Sequence, residues 1–325
     1  MKYIINAFLF LIASFLLPSC NEDTFSQVVD FDVPAVKNKL VLNCNFTVGE
    51  DTIKVLIGKT RNVGETKNSD GLEKCKVSLY RNNAKIADIP YKGPYFDQNA
   101  KLYQLAGVKN LIKDKNLYTI KVEHPDFESI EASQDIPDAP QISQPFFLAK
   151  GFSSNDIFSS GEKYDLAQFE LLDPAAENFY MLAGYSVFKD TINDLFQNNT
   201  EYFYLDKLFS NGGIFEDLGN VKHFLNDEKF NGKRFAMKLG VSPFSFGNFL
   251  NPDPNFDFTS AKRVKIIFNL YSISKQKYLY ETSITAKDEG FGNFFGEPVT
   301  VNSNVINGYG IFSIRNLSTI EIKLP

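Results

Sequence analysis

The cysteine at position 20 is the residue whose surroundings point most directly to a chemical modification. It follows Leu17-Pro18-Ser19, and a cysteine preceded by a small residue at the end of an export signal is a site of acylation on sulfur. Several acyl chains on one residue anchor a protein stably in a membrane. We therefore predict that Cys20 carries a covalent lipid and becomes the N-terminus. A plain secretory signal with an incidental cysteine is the alternative.

Residues 1–19 have the pattern of an export signal. Lys2 supplies a positive charge, and the segment from Ile4 to Leu17 is apolar except for two residues. As a helix this segment would rise about 21 Å, which is less than the roughly 30 Å of a bilayer core. The sequence therefore predicts a cleaved lipoprotein signal peptide and not a membrane span.

The residues after Cys20 are polar and acidic. Asn21, Glu22 and Asp23 follow the cysteine directly, and residues 20–36 read as a lipidated tether. The acidic pair resembles a signal that sends lipoproteins to the outer face of an outer membrane. A solvated acidic tether without such a role would have the same sequence.

Cys44 and Cys75 lie in segments where hydrophobic residues alternate, and both fall on the apolar face. If their strands are neighbours, a disulfide is geometrically feasible, and export to an oxidising compartment permits it. The alternative is a pair of buried free thiols that pack as small apolar residues.

A loop rich in oxygen side chains is a weak candidate for a calcium site. Asp253, Asn255 and Asp257 occupy alternate positions, as ligands do in a calcium loop. However, Phe256 stands where such a loop needs glycine, and Lys262 stands where it needs a closing glutamate. A rigid exposed loop is the alternative, and we expect no metal and no cofactor other than the lipid.

Further residues of catalytic type are few. The two histidines, His124 and His223, are far apart in sequence and have no cysteine at zinc-ligand spacing. Each is predicted to be a surface or turn histidine. Because no nucleophile elbow or HExxH motif is present, we predict a protein without enzymatic activity, with a hydrolase as a minor alternative.

The net charge and the aromatic residues indicate which kinds of molecule the protein could bind. A formal net charge of −5 and a pI of about 5.3 give no basic surface for nucleic acid. Aromatic residues are concentrated in three stretches, Tyr91–Phe96, Tyr202–Phe209 and Phe244–Phe258. They could form a platform for a glycan or peptide, although the absence of tryptophan weakens the glycan version. A buried aromatic core is the alternative.

Alternating hydrophobic residues predict that the fold is mainly β. Residues 37–138 are predicted to form an N-terminal Ig-like or transthyretin-like β-sandwich, which ends at the proline-rich segment Ile136–Pro140. Residues 139–325 are predicted to form a larger β-rich domain with a few short helices. It includes a strand at Arg263–Ser272 and another at Val299–Val301, and a helix near 274–287 that begins after Ser274.

Three sequence segments resemble one known family. They are Asp173-Pro174…Glu177-Asn178-Phe179-Tyr180, then Ser272-Ile273-Ser274…Tyr278-Leu279-Tyr280, and last Glu297-Pro298-Val299…Ser303-Asn304-Val305…Gly308-Tyr309-Gly310-Ile311-Phe312. Together with the acylated cysteine and the sandwich, they resemble the DUF4249 family of Bacteroidota outer-membrane lipoproteins over essentially the whole mature chain. That family has no established biochemical activity, and its members are typically encoded beside TonB-dependent receptors.

The resemblance implies a function at the cell surface. It favours a non-catalytic lipoprotein of the outer membrane, facing the exterior, that is the accessory partner of a TonB-dependent receptor in nutrient uptake. A surface protein that binds a glycan or a peptide is the alternative. The ligand, the identity of the partner and the oligomeric state remain open.

Overall fold

A computed structural model describes residues 36–62, 71–95, 100–153, 163–201, 203–205, 222–241, 253–290 and 300–324. The chain divides into two compact units, one of residues 1–37 with 62–64 and one of residues 38–61 with 65–325. The first unit lies almost wholly outside the described residues, so the fold described below is that of the second. Its described part is built mostly from strands, which confirms the predicted mainly-β class.

The regular elements are numbered in chain order, and two short 3-10 turns accompany them at Leu72–Lys74 and Val108–Asn110. The strands and the helix are β1 (Leu40–Thr47), β2 (Thr52–Lys59), β3 (Lys76–Arg81), β4 (Ala84–Ile89), β5 (Tyr91–Pro94), β6 (Lys101–Ala106), β7 (Tyr118–His124), β8 (Phe127–Gln134), β9 (Gln141–Ser153), β10 (Lys163–Leu172), β11 (Phe179–Asp190), β12 (Phe196–Glu201), β13 (Phe203–Leu205), β14 (Lys222–Asn226), β15 (Arg234–Val241), β16 (Ala261–Ile273), α1 (Lys275–Gly290), β17 (Val305–Ile306) and β18 (Tyr309–Lys323).

The first half of the chain forms a β-sandwich together with β17 and the start of β18. One layer has the strand order β18-β1-β2-β6-β5, and the other has the order β17-β8-β7-β3-β4. Inward residues alternate with outward residues, as Ile53, Val55 and Ile57 do along β2, where all three are fully buried. Side chains of both layers share one apolar core.

The second half forms another sandwich with its own core. One layer has the order β12-β11-β16-β18, with β14 also paired to β11, and the other has the order β13-β15-β10-β9. Phe169 of β10 and Phe268 of β16 meet in this core, with 6.4 Å between ring centroids. Alternation along β10 buries Ala167, Phe169 and Leu171 and leaves the residues between them on the outer face.

One strand belongs to both sandwiches. The first part of β18 pairs in parallel with β1, from Val41 opposite Tyr309 to Thr47 opposite Arg315. The remainder pairs antiparallel with β16, beginning with Ser272 opposite Asn316. One layer of each sandwich is therefore part of a single nine-stranded sheet.

Several predicted elements need correction, and one is confirmed. The helix after Ser274 is confirmed as α1. Residues 191–232, for which the sequence predicts no strand, contain three strands in the part that is described. The predicted strand at Val299–Val301 is wrong for its described residues, and the strand lies at Val305–Ile306. Strand β9 was not predicted, because its side chains are mostly exposed and show no alternation. The domain boundary near residue 138 stays a prediction.

Candidate docking surface

The predicted lipidation and export residues lie outside the described residues. These are Cys20, Asn21, Glu22 and Asp23. Their assignments therefore stay predictions.

Cys44 and Cys75 are free, buried thiols in the structure, which is the second of the two alternatives, and the disulfide that the sequence permits is not formed. The reason is their position, since Cys44 lies on β1 and Cys75 directly before β3, in opposite layers of the first sandwich and not on neighbouring strands. Burial raises the pKa of Cys44 far above its ordinary value. Burial also raises the pKa of Cys75, to about 11, although a hydrogen bond with Tyr103 opposes the increase. Both thiols are therefore protonated and apolar in character at neutral pH.

Two residues of the weak calcium candidate accept hydrogen bonds from nearby backbone amides in the same turn. The Asn255 amide donates to Asp253 Oδ1 at 2.8 Å, and the Thr259 amide donates to Asp257 Oδ1 at 2.8 Å. Such contacts are typical of Asx turns. Across the described ranges, no group of three or more His, Cys, Asp or Glu side chains could hold a metal ion. The alternating oxygen side chains at 253–257 are therefore explained as a rigid turn.

This turn is attached to the end of β11 through Asp190, which is fully buried. Its Oδ1 accepts hydrogen bonds from the Ile192 and Asn193 amides and the Ser260 hydroxyl, at 2.7 to 3.1 Å. Its Oδ2 accepts from the Asp257 amide at 2.9 Å and from Asn193 Nδ2 at 2.8 Å. Burial acts to raise the pKa of Asp190, but these hydrogen bonds outweigh it and hold the pKa well below its usual range.

Both histidines are buried, so neither lies at the surface. Of the predicted surface or turn positions, His124 has the turn position, whereas His223 lies on a strand and has neither. His124 lies at the turn between β7 and β8, where its Nδ1 accepts from the Asp126 amide at 3.1 Å and its Nε2 lies 3.0 Å from the Gly71 carbonyl oxygen. His223 is on β14, paired with β11 opposite Leu182. Their strands belong to different sandwiches, and neither residue belongs to a metal-binding group among the described residues.

The first segment of the family resemblance connects two turns of the second sandwich. The Tyr180 hydroxyl donates to Asp173 Oδ1 at 2.5 Å, and the Gly232 amide donates to Asp173 Oδ2 at 2.9 Å. The Asn178 amide donates to Asp227 Oδ2 at 2.8 Å. Burial raises the pKa of Asp173, and the neighbouring Asp227 carboxyl raises it further, whereas the bonds from Tyr180 and Gly232 lower it. Through these hydrogen bonds, Asp173 and Asp227 hold the β10–β11 turn against the β14–β15 turn.

The second segment connects helix α1 to strands β8 and β18. The Lys277 amide donates to Ser274 Oγ at 3.2 Å, which makes Ser274 the N-cap of α1. The Ser274 hydroxyl donates to Gln134 Oε1 at 3.2 Å, and Gln134 Nε2 donates to the Ile314 carbonyl at 2.7 Å. The start of α1, the end of β8 and the middle of β18 are thereby connected.

The third segment completes the first sandwich. Asn304 binds the backbone of Phe312 twice, because its Oδ1 accepts from the Phe312 amide at 3.0 Å and its Nδ2 donates to the Phe312 carbonyl at 2.8 Å. Its side chain thus occupies the place of a neighbouring strand beside β18. These hydrogen bonds of the three segments therefore stabilise the scaffold.

Only part of the three aromatic stretches lies within the described residues. Tyr91 packs on Tyr103 with 5.6 Å between ring centroids, and Phe256 is buried. Phe258 is partly exposed and contacts Phe256 edge to face at 5.0 Å. Most of the other two stretches lies outside the described residues, so the alternative of an aromatic binding platform stays a prediction.

An apolar area lies on the outer face of β9 and β10. It consists of Phe146, Leu148 and Leu166, and we call it the outer patch. Phe146 and Leu148 are each 49% exposed. Leu172, which is 45% exposed, is on the same face of β10 but lies beyond Gln168 and Glu170. Leu148 lies opposite Leu166 in the ladder, so the side chains at the centre of the patch are cross-strand neighbours.

Polar and charged residues border the outer patch. Arg234 Nη1 donates to Glu170 Oε2 at 3.0 Å, and Lys238 is exposed opposite Gln168 of β10. A half-exposed apolar centre with a rim of both charges is typical of a protein docking surface. The sequence did not predict this surface, because β9 shows no alternation of apolar and polar residues. A usable signal was the pair Phe146 and Leu148, two apolar residues at positions i and i+2 just before Lys150.

The fold and this surface define a β-protein of two sandwiches that share one long strand and present an apolar patch on an outer sheet face. The chain belongs to the family described as a domain of unknown function, DUF4249, whose model matches residues 27–321. A comparison with curated proteins found no match. No helix in the described ranges has the length and apolarity that a membrane crossing requires.

Solved structures with detectable similarity are remote. One is the alpha-2-macroglobulin of Salmonella reacted with methylamine, at 12% identity and a TM-score of 0.24, with 77% of this chain and 15% of that chain covered. Another is the I67–I69 fragment of the I-band of titin, at 9% identity and a TM-score of 0.18, with 86% and 63% covered. The chain spans about a seventh of the length of the macroglobulin and under two thirds of the titin fragment.

Proposed function

We propose that this protein is a lipid-anchored, non-catalytic docking protein of the outer membrane that faces the cell exterior. The anchor is Cys20, and the outer patch binds a partner protein. The single observation that carries the docking role is the outer patch itself, with two large apolar side chains nearly half exposed on one sheet face. Outer faces of sandwich sheets are usually polar, so such a patch needs a partner surface.

The partner that we propose is a TonB-dependent receptor, with a role for the pair in nutrient uptake. This part of the proposal rests on the resemblance to outer-membrane lipoproteins of the Bacteroidota. The mixed rim of Glu170, Arg234 and Lys238 suits docking against the polar outer loops of another protein, where charge pairs set orientation. The protein needs no cofactor for this role other than its lipid.

Co-purification tests the docking role. A tagged chain extracted in mild detergent is expected to bring down a TonB-dependent receptor identified by mass spectrometry. The double variant Phe146→Ser with Leu148→Ser should reduce the recovered receptor about tenfold or more, because a few central apolar side chains carry most of the binding energy of an interface. Ile306→Ser is the matched control, since Ile306 is 58% exposed and lies on β17.

Two results would overturn the docking proposal. One is recovery of no outer-membrane receptor with the unaltered chain. The other is equal recovery by the double variant and by Ile306→Ser, which would show that the outer patch is not the contact. Saturable binding of a glycan or peptide array by the unaltered chain would instead support the alternative function.

The anchor is tested separately. Cys20→Ala is expected to move the protein from the membrane fraction to the soluble fraction, because no lipid can be attached without the thiol. Protease treatment of intact cells should degrade the unaltered protein if it faces the exterior. Retention of Cys20→Ala in the membrane fraction would contradict the proposed anchor, and full protection from protease would contradict surface exposure.

A further inference from the structure

The edge strands of the described sheets are protected against pairing with other chains, with one exception. Natural proteins protect such edges with lysine, proline, irregular pairing or very short strands. Strands β9 and β5 each contain a proline and pair irregularly with their neighbours. Strand β4 contains Lys85 and also pairs irregularly. Strand β14 carries Lys222, while β13 and β17 have only three and two residues.

Strand β12 has none of these protections. Its six residues, Phe196 to Glu201, pair with β11 in continuous register from Lys189 opposite Phe196 to Gly184 opposite Glu201. It contains no lysine or proline, and its one charged residue, Glu201, is the last. Within the described part of the chain, no strand pairs with its outer side.

The register shows which backbone groups of β12 are open. The Asp190 amide donates to the Leu195 carbonyl at 2.9 Å, so Leu195 points its backbone toward β11. Because hydrogen-bonding directions alternate along an antiparallel strand, Phe196, Asn198 and Thr200 point their N–H and C=O groups away from β11. A weak contact of 3.4 Å from Gln197 Nε2 to the Asn198 carbonyl is the one described bond to these groups.

We propose that β12 is a dimerisation edge, which pairs antiparallel with β12 of a second copy of this chain. The two-fold axis passes through Asn198, so that Asn198 lies opposite its own image and Phe196 lies opposite Thr200. Each of the three pairs forms two bonds, which gives about six backbone hydrogen bonds between the copies.

A second copy fits this edge for two reasons. The open residues are symmetric about Asn198, so every open donor meets an open acceptor of the identical strand, as a closed two-fold interface requires. None of the three open residues is charged, so no like charges meet across the axis. Phe196, which is 61% exposed, also loses part of its contact with water in the dimer. One short strand per copy forms a small interface, so the dimer dissociates on dilution.

The association is measured on the full mature chain carrying Cys20→Ser, by light scattering and sedimentation over a concentration series. The mass is expected to rise from that of one chain to that of two. Asn198→Pro removes the central open N–H without removing any bond to β11, so the variant should stay monomeric with an unchanged urea midpoint. Asn198→Thr retains the N–H and is the matched control, which should dimerise like the unaltered chain.

A cross-link tests the predicted axis independently of variant stability. Asn198→Cys places two thiols opposite each other, at a Cα separation of about 5.5 Å for this type of pair, which a disulfide spans. In the chain carrying Cys20→Ser, the two remaining native cysteines, Cys44 and Cys75, are buried, so mild oxidation should convert this variant to a covalent dimer through position 198. Asp194→Cys, on the exposed turn of the same hairpin, should remain monomeric.

The proposal fails if the unaltered chain keeps the mass of one copy up to its solubility limit, which would leave the edge to a strand of another protein. It also fails if Asn198→Pro dimerises as well as the unaltered chain. Equal cross-linking at positions 194 and 198 would likewise overturn the predicted axis. None of these outcomes depends on the receptor, so they do not bear on the docking role of the outer patch.

Discussion

Gly310 lies where the last strand approaches the first strand most closely. A Cβ atom at this position would lie 2.0 Å from the carbonyl oxygen of Leu42, and the φ angle is +108°. Two residues earlier, a Cβ on Gly308 would lie 2.7 Å from the Leu40 carbonyl oxygen. The glycines of the segment Gly308-Tyr309-Gly310 are therefore required by the close approach of the backbone.

Gly310→Ala is expected to destabilise the protein by at least about 2 kcal/mol, because the left-handed backbone conformation alone costs about 1–2 kcal/mol and the contact with Leu42 adds to it. Urea unfolding measures the difference. Gly107→Ala is the control, since Gly107 also has a positive φ but a Cβ atom on it would have nothing within 4 Å. Equal losses in the two variants would contradict the close approach.

Asp173 and Asp190 show that two buried carboxylates can have opposite pKa shifts. The pKa of Asp173 is raised, by burial and by the neighbouring Asp227. The pKa of Asp190 is lowered, because hydrogen bonds to its charged form outweigh its burial. Asp173 therefore stabilises the fold when neutral, and Asp190 stabilises it when ionised.

The raised pKa of Asp173 predicts a stability loss with increasing pH. Its contribution is complete below the unfolded-state pKa of about 3.9 and is lost as pH rises from there through the higher folded-state pKa. The melting temperature of Asp173→Asn minus that of the unaltered protein should therefore increase from about pH 4 to pH 7. The variant Tyr180→Phe retains the Asp173 carboxyl. Its stability should fall more steeply with increasing pH, because the substitution removes a hydrogen-bond donor to the charged form of Asp173. A difference that is constant with pH would contradict the shift.

At the scale of elements, the turn before β16 depends on the end of β11. Asp190 is the last residue of β11, and its carboxylate binds both the following turn and residues 257–260. These two loops are far apart in sequence, and two further hydrogen bonds join them, from Thr191 Oγ1 to the Ser260 carbonyl and from Asn193 Nδ2 to the Asn255 carbonyl. The buried carboxylate is the group that binds both loops at once.

Asp190→Asn is expected to loosen residues 253–260, because the amide nitrogen would face donors that now bind an oxygen. Hydrogen exchange at neutral pH should show faster exchange of the Asp257 amide and lower protection in the turn. Asp253→Asn is the control, since it retains the oxygen that accepts from the Asn255 amide. Unchanged protection in Asp190→Asn would show that the carboxylate is not needed there.

At the scale of the whole molecule, β18 couples the two sandwiches. It contributes Phe312 and Ile314 to the first core and Ile320 and Ile322 to the second. The segment between the sandwiches is attached to the same strand, because Asn316 Nδ2 donates to the Pro137 carbonyl at 3.2 Å and Ser318 Oγ to the Pro140 carbonyl at 2.5 Å. Neither core is complete when β18 detaches.

The shared strand predicts one cooperative unfolding transition. The thiols of Cys44 and Cys75 report on the first core, and Phe235→Trp, at a residue that packs against the second core, reports on the other. Urea curves from thiol labelling and from tryptophan fluorescence should have the same midpoint. Thiol labelling of the unsubstituted protein provides the control for the effect of the tryptophan. Two separate midpoints would show that the sandwiches unfold independently.

Much of the first sandwich could be predicted from the sequence, because each strand has one face in the core. The alternation of Ile53, Val55 and Ile57 with polar residues reflects this environment directly. Strand β9 has no such alternation, because it lies at a sheet edge with most side chains exposed. The outer patch was missed for the same reason.

What the sequence by itself determined is local: the β class, the helix after Ser274, and the cysteine at which we propose a lipid. These follow from short-range patterns of hydrophobicity, capping and charge. The tertiary structure alone decided that Cys44 and Cys75 lie in opposite layers, that Asp173 meets Asp227, and that β18 joins two cores. The reason is that residues such as Leu42 and Gly310 are brought together by pairing between the two ends of the chain, and no local pattern records which distant strand will be the neighbour.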